Sequence, residues 1–281
     1  MKTARVNGID LAYTVEAGAR PERPWMVFSH SLAADHSMWW PQIDAFTASH
    51  NVLRFDTRGH GASSAPEGDY TLESLANDLL QLLDVVGIRQ CHFVGLSMGG
   101  MIGQTAVLLD PKRFATLVLA DTSSRMAPEA LPVWEGRLAA VKGPEGMGAV
   151  APATLERWFT APFREREPQV VARIDRGIRN TRVAGYIGCS RAIMKLDLTT
   201  RLGQVRCPTL VIVGDQDPGT PPAMAEVIAR AIPGARLEVV ARAAHLANIE
   251  QPEAFNSLIR RFYSGAAYAC NPPGGRPTYS L

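Results

Sequence analysis

Several absences limit what this chain can be. No stretch of roughly 18 consecutive apolar residues occurs, so no transmembrane helix is expected. The first residues, Met1-Lys2-Thr3-Ala4-Arg5-Val6-Asn7-Gly8, carry charge without an apolar run behind it, which argues against a secretory signal and for a cytoplasmic protein. Charge of one sign is also missing: 29 Lys+Arg against 27 Asp+Glu leave +2 over 281 residues. That balance predicts neither a nucleic-acid partner nor a membrane surface. The four cysteines, Cys91, Cys189, Cys207 and Cys270, stand far apart with no C-x-x-C pair. They suggest reduced, buried thiols rather than a zinc knuckle or a disulfide framework. Internal repeats are absent too. What remains, 46% apolar and 20% charged residues, is an ordinary core-forming composition.

Short apolar runs alternate with helical patterns, as in a parallel sheet with crossover helices. Leu11–Glu16, Trp25–Ser29, Asn51–Phe55, Cys91–Gly95, Ala115–Ala120, Thr209–Val213 and Arg236–Val240 read as strands, the last three as parallel, buried ones. Thr71–Val86 reads as a helix, with Thr71 as N-cap and Gly87 as stop. Between Asp121 and Leu196 no strand pattern occurs. Leu131–Val141, Pro152–Phe159, Pro168–Ile178 and Val183–Lys195 read there as short helices. Residues 1–122 and 197–263 thus form a core, with 123–196 a helical cap inserted into it. The cap holds 12 Lys+Arg and 7 Asp+Glu, net +5, against −3 elsewhere. A positive lid favours an anionic ligand; a solvated helical surface has the same composition. After a last helix, Pro252–Tyr263, residues 264–281 are rich in Gly and Pro and read as a surface or disordered tail.

The chemistry-bearing pentapeptide is Gly95-Leu96-Ser97-Met98-Gly99, directly after a buried strand and before the helical pattern Met98–Leu109. A tight strand-to-helix turn needs glycines two before and two after the serine, and it lifts Oγ into a pocket. Ser97 is therefore the candidate nucleophile. A hydroxyl needs a base, and the base an orienting carboxylate, following in the order Ser, Asp/Glu, His. Of six histidines only His245 lies after Ser97, since His30, His36, His50, His60 and His92 all precede it. Asp217 is the candidate acid, deep in the turn Gly214-Asp215-Gln216-Asp217-Pro218, and Asp215 is the alternative, read as a turn cap. The oxyanion donors expected are the backbone N–H groups of Met98 and Leu32. His30 reads as scaffold for the Leu32 loop, and Arg58 as paired with Asp56 or a backbone carbonyl. No H-x-H-x-D-H run occurs, which disfavours a two-metal site, and no metal or other cofactor is expected.

Together, the Ser29-His30-Ser31-Leu32 loop, Asp56–Ser63 (DTRGHGAS), GLSMGG, GDQD and the AAH turn resemble the α/β-hydrolase-fold serine hydrolases over residues 1–263. The resemblance implies a mostly parallel eight-stranded sheet flanked by helices, with an inserted helical cap. Within that superfamily the chain is most similar to the 3-oxoadipate enol-lactonases of bacterial aromatic catabolism. HSMWWPQIDAF (36–46), LVLADTSSRM (117–126), RWFT (157–160), DPGTPP (217–222) and the stretch Trp134–Arg137 carry this likeness. The oxyanion loop departs from it, with His30 where that group often has Asn. The resemblance implies a small anionic lactone or ester as substrate, opened to 3-oxoadipate through an acyl-enzyme on Ser97. Its carboxylate needs a cationic or N–H partner, for which Arg137 or Arg191 are candidates, with Trp134 a wall of the pocket. Two other readings stay open: a broad carboxylesterase or perhydrolase of the same fold, and a non-turnover small-molecule receptor. Assembly into a homo-oligomer is left open as well.

Overall fold

The computed structural model describes residues 1–16 and 20–270, with side chains as far as Ser264. Its first element is a strand that the apolar pattern does not announce, β1 (Lys2–Val6), paired antiparallel with β2 (Ile9–Glu16). Only Ala4 and Val6 of β1 are buried, so its sequence, KTARV, reads as polar. The Asn7-Gly8 turn that joins the two has both residues at positive φ, 43° and 77°. That is the backbone of a tight hairpin turn.

The chain continues through β3 (Trp25–Ser29), α1 (Trp40–Phe46), β4 (Asn51–Phe55), α2 (Leu72–Val86), β5 (Cys91–Leu96), α3 (Met98–Leu109) and β6 (Phe114–Ala120). The cap follows as α4 (Leu131–Val141), α5 (Ala151–Trp158), α6 (Ala161–Arg166), α7 (Pro168–Asn180) and α8 (Val183–Met194). The sheet then resumes with β7 (Thr209–Gly214), α9 (Pro222–Ala231) and β8 (Arg236–Val240), before α10 (Ala247–Glu250) and α11 (Pro252–Cys270). The eight strands lie in the order β1-β2-β4-β3-β5-β6-β7-β8, parallel from β4 onward.

Local sequence explains the helix limits. Thr71 Oγ1 accepts from Ser74 N at 3.0 Å while Thr71 N donates to Ser74 Oγ at 3.1 Å, a reciprocal cap for α2. Gly87 ends that helix at φ 81°. Leu72, Leu75, Leu79, Leu82 and Leu83 all face the core, each worth about 1.5–3 kcal/mol of burial.

Three expectations need correction. α6 was not anticipated: the six-residue helix begins where Thr160 accepts from Phe163 N, and Pro162 sits in its first turn. β8 is an edge strand, largely exposed, rather than buried. The terminal helix does not stop at Tyr263 but runs to Cys270, because Ser-Gly-Ala-Ala contains no proline to break it. Residues 271–281 of the expected tail lie outside those described. Cys91 and Cys189 are buried free thiols and Cys207 is half-buried.

The cap is fastened to the core along two seams. At one, Gly59 and Gly185 touch backbone to backbone, so that a methyl on Gly185 would collide with the Gly59 carbonyl. Beside it Arg182 donates to the carbonyl oxygens of His60, Gly61 and Ser63. At the other, Leu246 N donates to Trp158 O at 3.1 Å, and Thr160 donates through N and Oγ1 to Glu250.

Candidate functional site

Every candidate catalytic group sits just past the C-terminal end of a parallel strand, where open α/β sheets form their ligand crevice. Ser97 follows β5 with φ 55° and ψ −117°, a conformation that a side chain adopts only under strain. The two glycines of the pentapeptide are there for contact. A methyl on Gly95 would strike the Gly99 carbonyl, and one on Gly99 would strike the Ser29 carbonyl of β3. Ser97 N donates to Ala120 O at 2.9 Å and Thr122 Oγ1 donates to Ser97 O at 2.7 Å, which fixes the turn.

His245 Nδ1 donates to Asp217 Oδ2 at 2.8 Å, and both side chains are buried. Asp217 also accepts from Thr220 Oγ1 at 2.6 Å, Gly219 N at 2.8 Å and Thr220 N at 3.1 Å. Burial pushes this carboxyl upward, yet the imidazole charge and these hydrogen bonds prevail and hold it at about 2. Asp215 is exposed and does not cap its own turn: its side chain accepts from Ala243 N, in the loop after β8, at 3.2 Å. Ser97 and His245 line one cavity of about 270 Å³ under the cap. Among the described residues no hydrogen bond joins them, a looseness common before a ligand tightens such a pair.

The loop after β3 is set by two neutral histidines. His30 Nδ1 donates to Ser31 O at 2.8 Å and its Nε2 accepts from Thr57 N at 2.9 Å. His60 Nε2 accepts from Ala33 N at 3.0 Å and its Nδ1 donates to Arg58 O at 3.2 Å. Burial pushes both imidazoles down, His60 to about 3, so neither carries charge at neutral pH. Ala33 N is occupied, whereas Leu32 N has no hydrogen-bond partner among the described residues and Leu32 lines the cavity; Met98, the first residue of α3, does not line it. Arg58 pairs with neither Asp56 nor a carbonyl. It forks onto Asp78 with two bonds of 2.7 Å, because Asp56 is filled by His36 N, His36 Nδ1 and Ala62 N. Asp35, His36 and Asp56 stand close enough to share an ion, but Asp35 already caps Ser37 N and Asp56 is spent on backbone donors.

Trp134 and Arg137 line the cavity, and the Arg137 guanidinium lies 5.0 Å from the Trp134 ring centre. Arg191 does not line it. On the last turn of α8 it faces α4 and pairs there with Glu135. Arg157, which composition did not single out, lines the cavity in its place, one residue before Trp158. Trp158 stacks on the His245 imidazole with ring centres 6.4 Å apart. No signal in the sequence marks Arg157, because tertiary contacts decide which face of α5 turns toward the cavity.

Residues 24–252 match the alpha/beta hydrolase fold family. The chain belongs to that family. The 3-oxoadipate enol-lactonase 2 of Acinetobacter baylyi is 36% identical to this hydrolase over 250 residues, 89% of this chain and 92% of that protein. The enol-lactonase of Burkholderia xenovorans LB400, solved as a crystal structure, is 40% identical with a TM-score of 0.89, covering 94% of this hydrolase and all of that chain. A protein of Stutzerimonas stutzeri named for carbamate hydrolysis is 28% identical over 251 residues, 88% of this hydrolase and 94% of that protein. Among the described residues no helix is long and apolar enough to cross a membrane.

One buried acid of the hydrolase has no part in the hydrogen-bonded pair. Asp121, at the end of β6 with φ 43°, accepts from Gly214 N at 2.8 Å through Oδ1, while its Oδ2 is buried without a partner. Burial, then the nearby Asp217 charge, push its carboxyl well above the ordinary range. A carboxyl raised on folding contributes stability below its unfolded value, and that contribution is lost as pH climbs through the folded one. Asp121→Asn keeps the shape without the titration. We expect a higher Tm at neutral pH and a flatter Tm profile above pH 3.8, the ordinary value, in thermal melts at stepped pH. An unchanged profile would show that folding does not raise the Asp121 carboxyl.

Proposed function

We propose that this hydrolase opens 3-oxoadipate enol-lactone to 3-oxoadipate, with Ser97, His245 and Asp217 as its catalytic triad. The observation that supports it most is one cavity holding Ser97 and the Asp217-bound His245 beneath arginines of the cap, with no carboxylate on its walls. At about 270 Å³ the space lies just under the roughly 300–1,000 Å³ of common ligand pockets, which suits a small ring with an acetate arm. The likeness to two enol-lactonases supports the choice of lactone.

In this reading Ser97 Oγ attacks the ring carbonyl and passes its proton to His245 Nε2. The N–H groups of Leu32 and Met98 hold the oxyanion, a donor of this kind being worth about 3 kcal/mol of barrier. The ring C–O bond breaks, and the enolate oxygen takes the proton back from His245. The leaving group remains tethered through the acyl chain, so deacylation must outrun ring closure. His245 then removes a proton from water, whose oxygen displaces Ser97, and the enol tautomerises to the ketone. Lactone and one water give the 3-oxo diacid.

Steady-state kcat/KM on the enol-lactone and on p-nitrophenyl acetate tests the proposal. The lactone is expected to be preferred by orders of magnitude, and rapid multiple turnover without a partner protein excludes a receptor. A strong preference for the acetate ester, or for a small carbamate, would overturn it.

A further inference from the structure

The cavity walls carry charge of one sign. Arg125, Arg137 and Arg157 line them, with no Asp, Glu or Lys among the lining residues. Arg125 is exposed, but Arg137 and Arg157 are half-buried, on α4 and α5. Among the described residues neither forms an ion pair, in contrast to Arg191 and Arg179, which have Glu135 and Asp175. Arg157 donates to Thr154 Oγ1 at 3.0 Å, which uses one of a guanidinium's five N–H donors. Arg137 has the Trp134 ring face. Burial, then the charge of Arg137, draw the Arg157 guanidinium down to about 10, which leaves it cationic at neutral pH. The buried Tyr186 also lines the cavity.

Two guanidinium groups on the walls of one cavity, partly stripped of water and without a carboxylate, repel each other and retain unused donors. Their cheapest relief is an anion entering the space they share, and a carboxylate matches the planar fork of an arginine. We propose that Arg157 and Arg137 together form an anion site in the roof of the cavity, holding a carboxylate that the substrate already carries before its ester is opened. The site makes the enzyme selective for acidic acyl esters and lactones. Neutral esters of similar size leave the pair unrelieved. The proposal rests on reading the cavity of Ser97 as the substrate site.

Inhibition by adipate, with p-nitrophenyl acetate as the reporter substrate, tests the site without the lactone. Adipate is expected to compete in the unmodified enzyme. Arg157→Gln and Arg137→Gln are each expected to raise its inhibition constant about tenfold or more. Arg157→Lys, which keeps the charge without the fork, is expected to fall between. Arg176→Gln, at an exposed position of α7, removes the same charge outside the cavity and is expected to leave the constant unchanged. In parallel, the ratio of kcat/KM for the enol-lactone to that for the acetate ester should drop at least tenfold in both cavity variants. No inhibition by adipate, or the same constant in Arg157→Gln, Arg137→Gln and the unmodified enzyme, would overturn the proposal. If adipate competes through the arginines while the lactone is ignored, the anion site stands and the lactone reading falls. If the lactone is opened equally well without the arginines, the anion site falls and the lactone reading stands.

Discussion

Replacing Ser97 by alanine is expected to lower kcat by about five to six orders of magnitude, the loss typical of removing a serine nucleophile. The fold should persist. The geometry of the turn comes from the Ala120 and Thr122 hydrogen bonds to the Ser97 backbone and from the glycine contacts, none of which involve Oγ. Competition by adipate should survive as well, now read by calorimetry. Ser97→Gly should be equally inactive yet more stable, since at φ 55° the serine bears left-handed strain of roughly 1–3 kcal/mol that glycine does not. Circular dichroism melts and a sensitive ester assay measure both effects. Substantial turnover by Ser97→Ala would remove the acyl-enzyme mechanism.

The second large effect is expected for Asp217→Asn, at about 10⁴-fold in kcat. Asp217 Oδ2 accepts a hydrogen bond from His245 Nδ1–H, and this leaves Nε2 free to act as base. An amide can turn its NH₂ toward Nδ1, stabilising the tautomer that cannot accept the serine proton. Asp215→Asn, two positions away and exposed, should keep activity and nearly all stability, since the amide oxygen can still accept from Ala243 N. The acid limb of stability offers a second readout. Because folding lowers the Asp217 pKa, its contribution is complete above the ordinary carboxylate value of 3.8 and is lost as pH falls toward about 2. Asp217→Asn should therefore lack that part of the acid-induced drop in Tm. Equal activity losses at 215 and 217 would undo the assignment.

The parts of this molecule that were legible beforehand are those where local chemistry and the final packing agree. β3, β4, α3 and α4 have the limits their periodicity predicts, since each is an apolar run or stripe, with Pro24 before β3, Pro111 after α3 and Pro132 in the first turn of α4. β1 escaped notice because an edge strand buries just two side chains, although its Asn7-Gly8 turn was a hairpin signal in plain view. Ser97, His245 and Asp217 could be located because a strained turn and chain order constrain them. The cap arginines could not. Nothing in a sequence window says which face of α5 or α8 turns inward, and that depended on Glu135 being within reach of Arg191 while Arg157 had no acid to meet.

The two seams between cap and core bear on how this enzyme could change in evolution. Lifting the cap would break the Arg182 bonds to three carbonyls and separate the Gly59–Gly185 contact. It would also pull Trp158 off His245 and so disturb the base itself. The cap is therefore tied to the core at two separate places, and the side chains on its underside belong to neither tie. New specificities should arise by exchanging the side chains that project from the roof, one at a time, with the catalytic geometry left untouched.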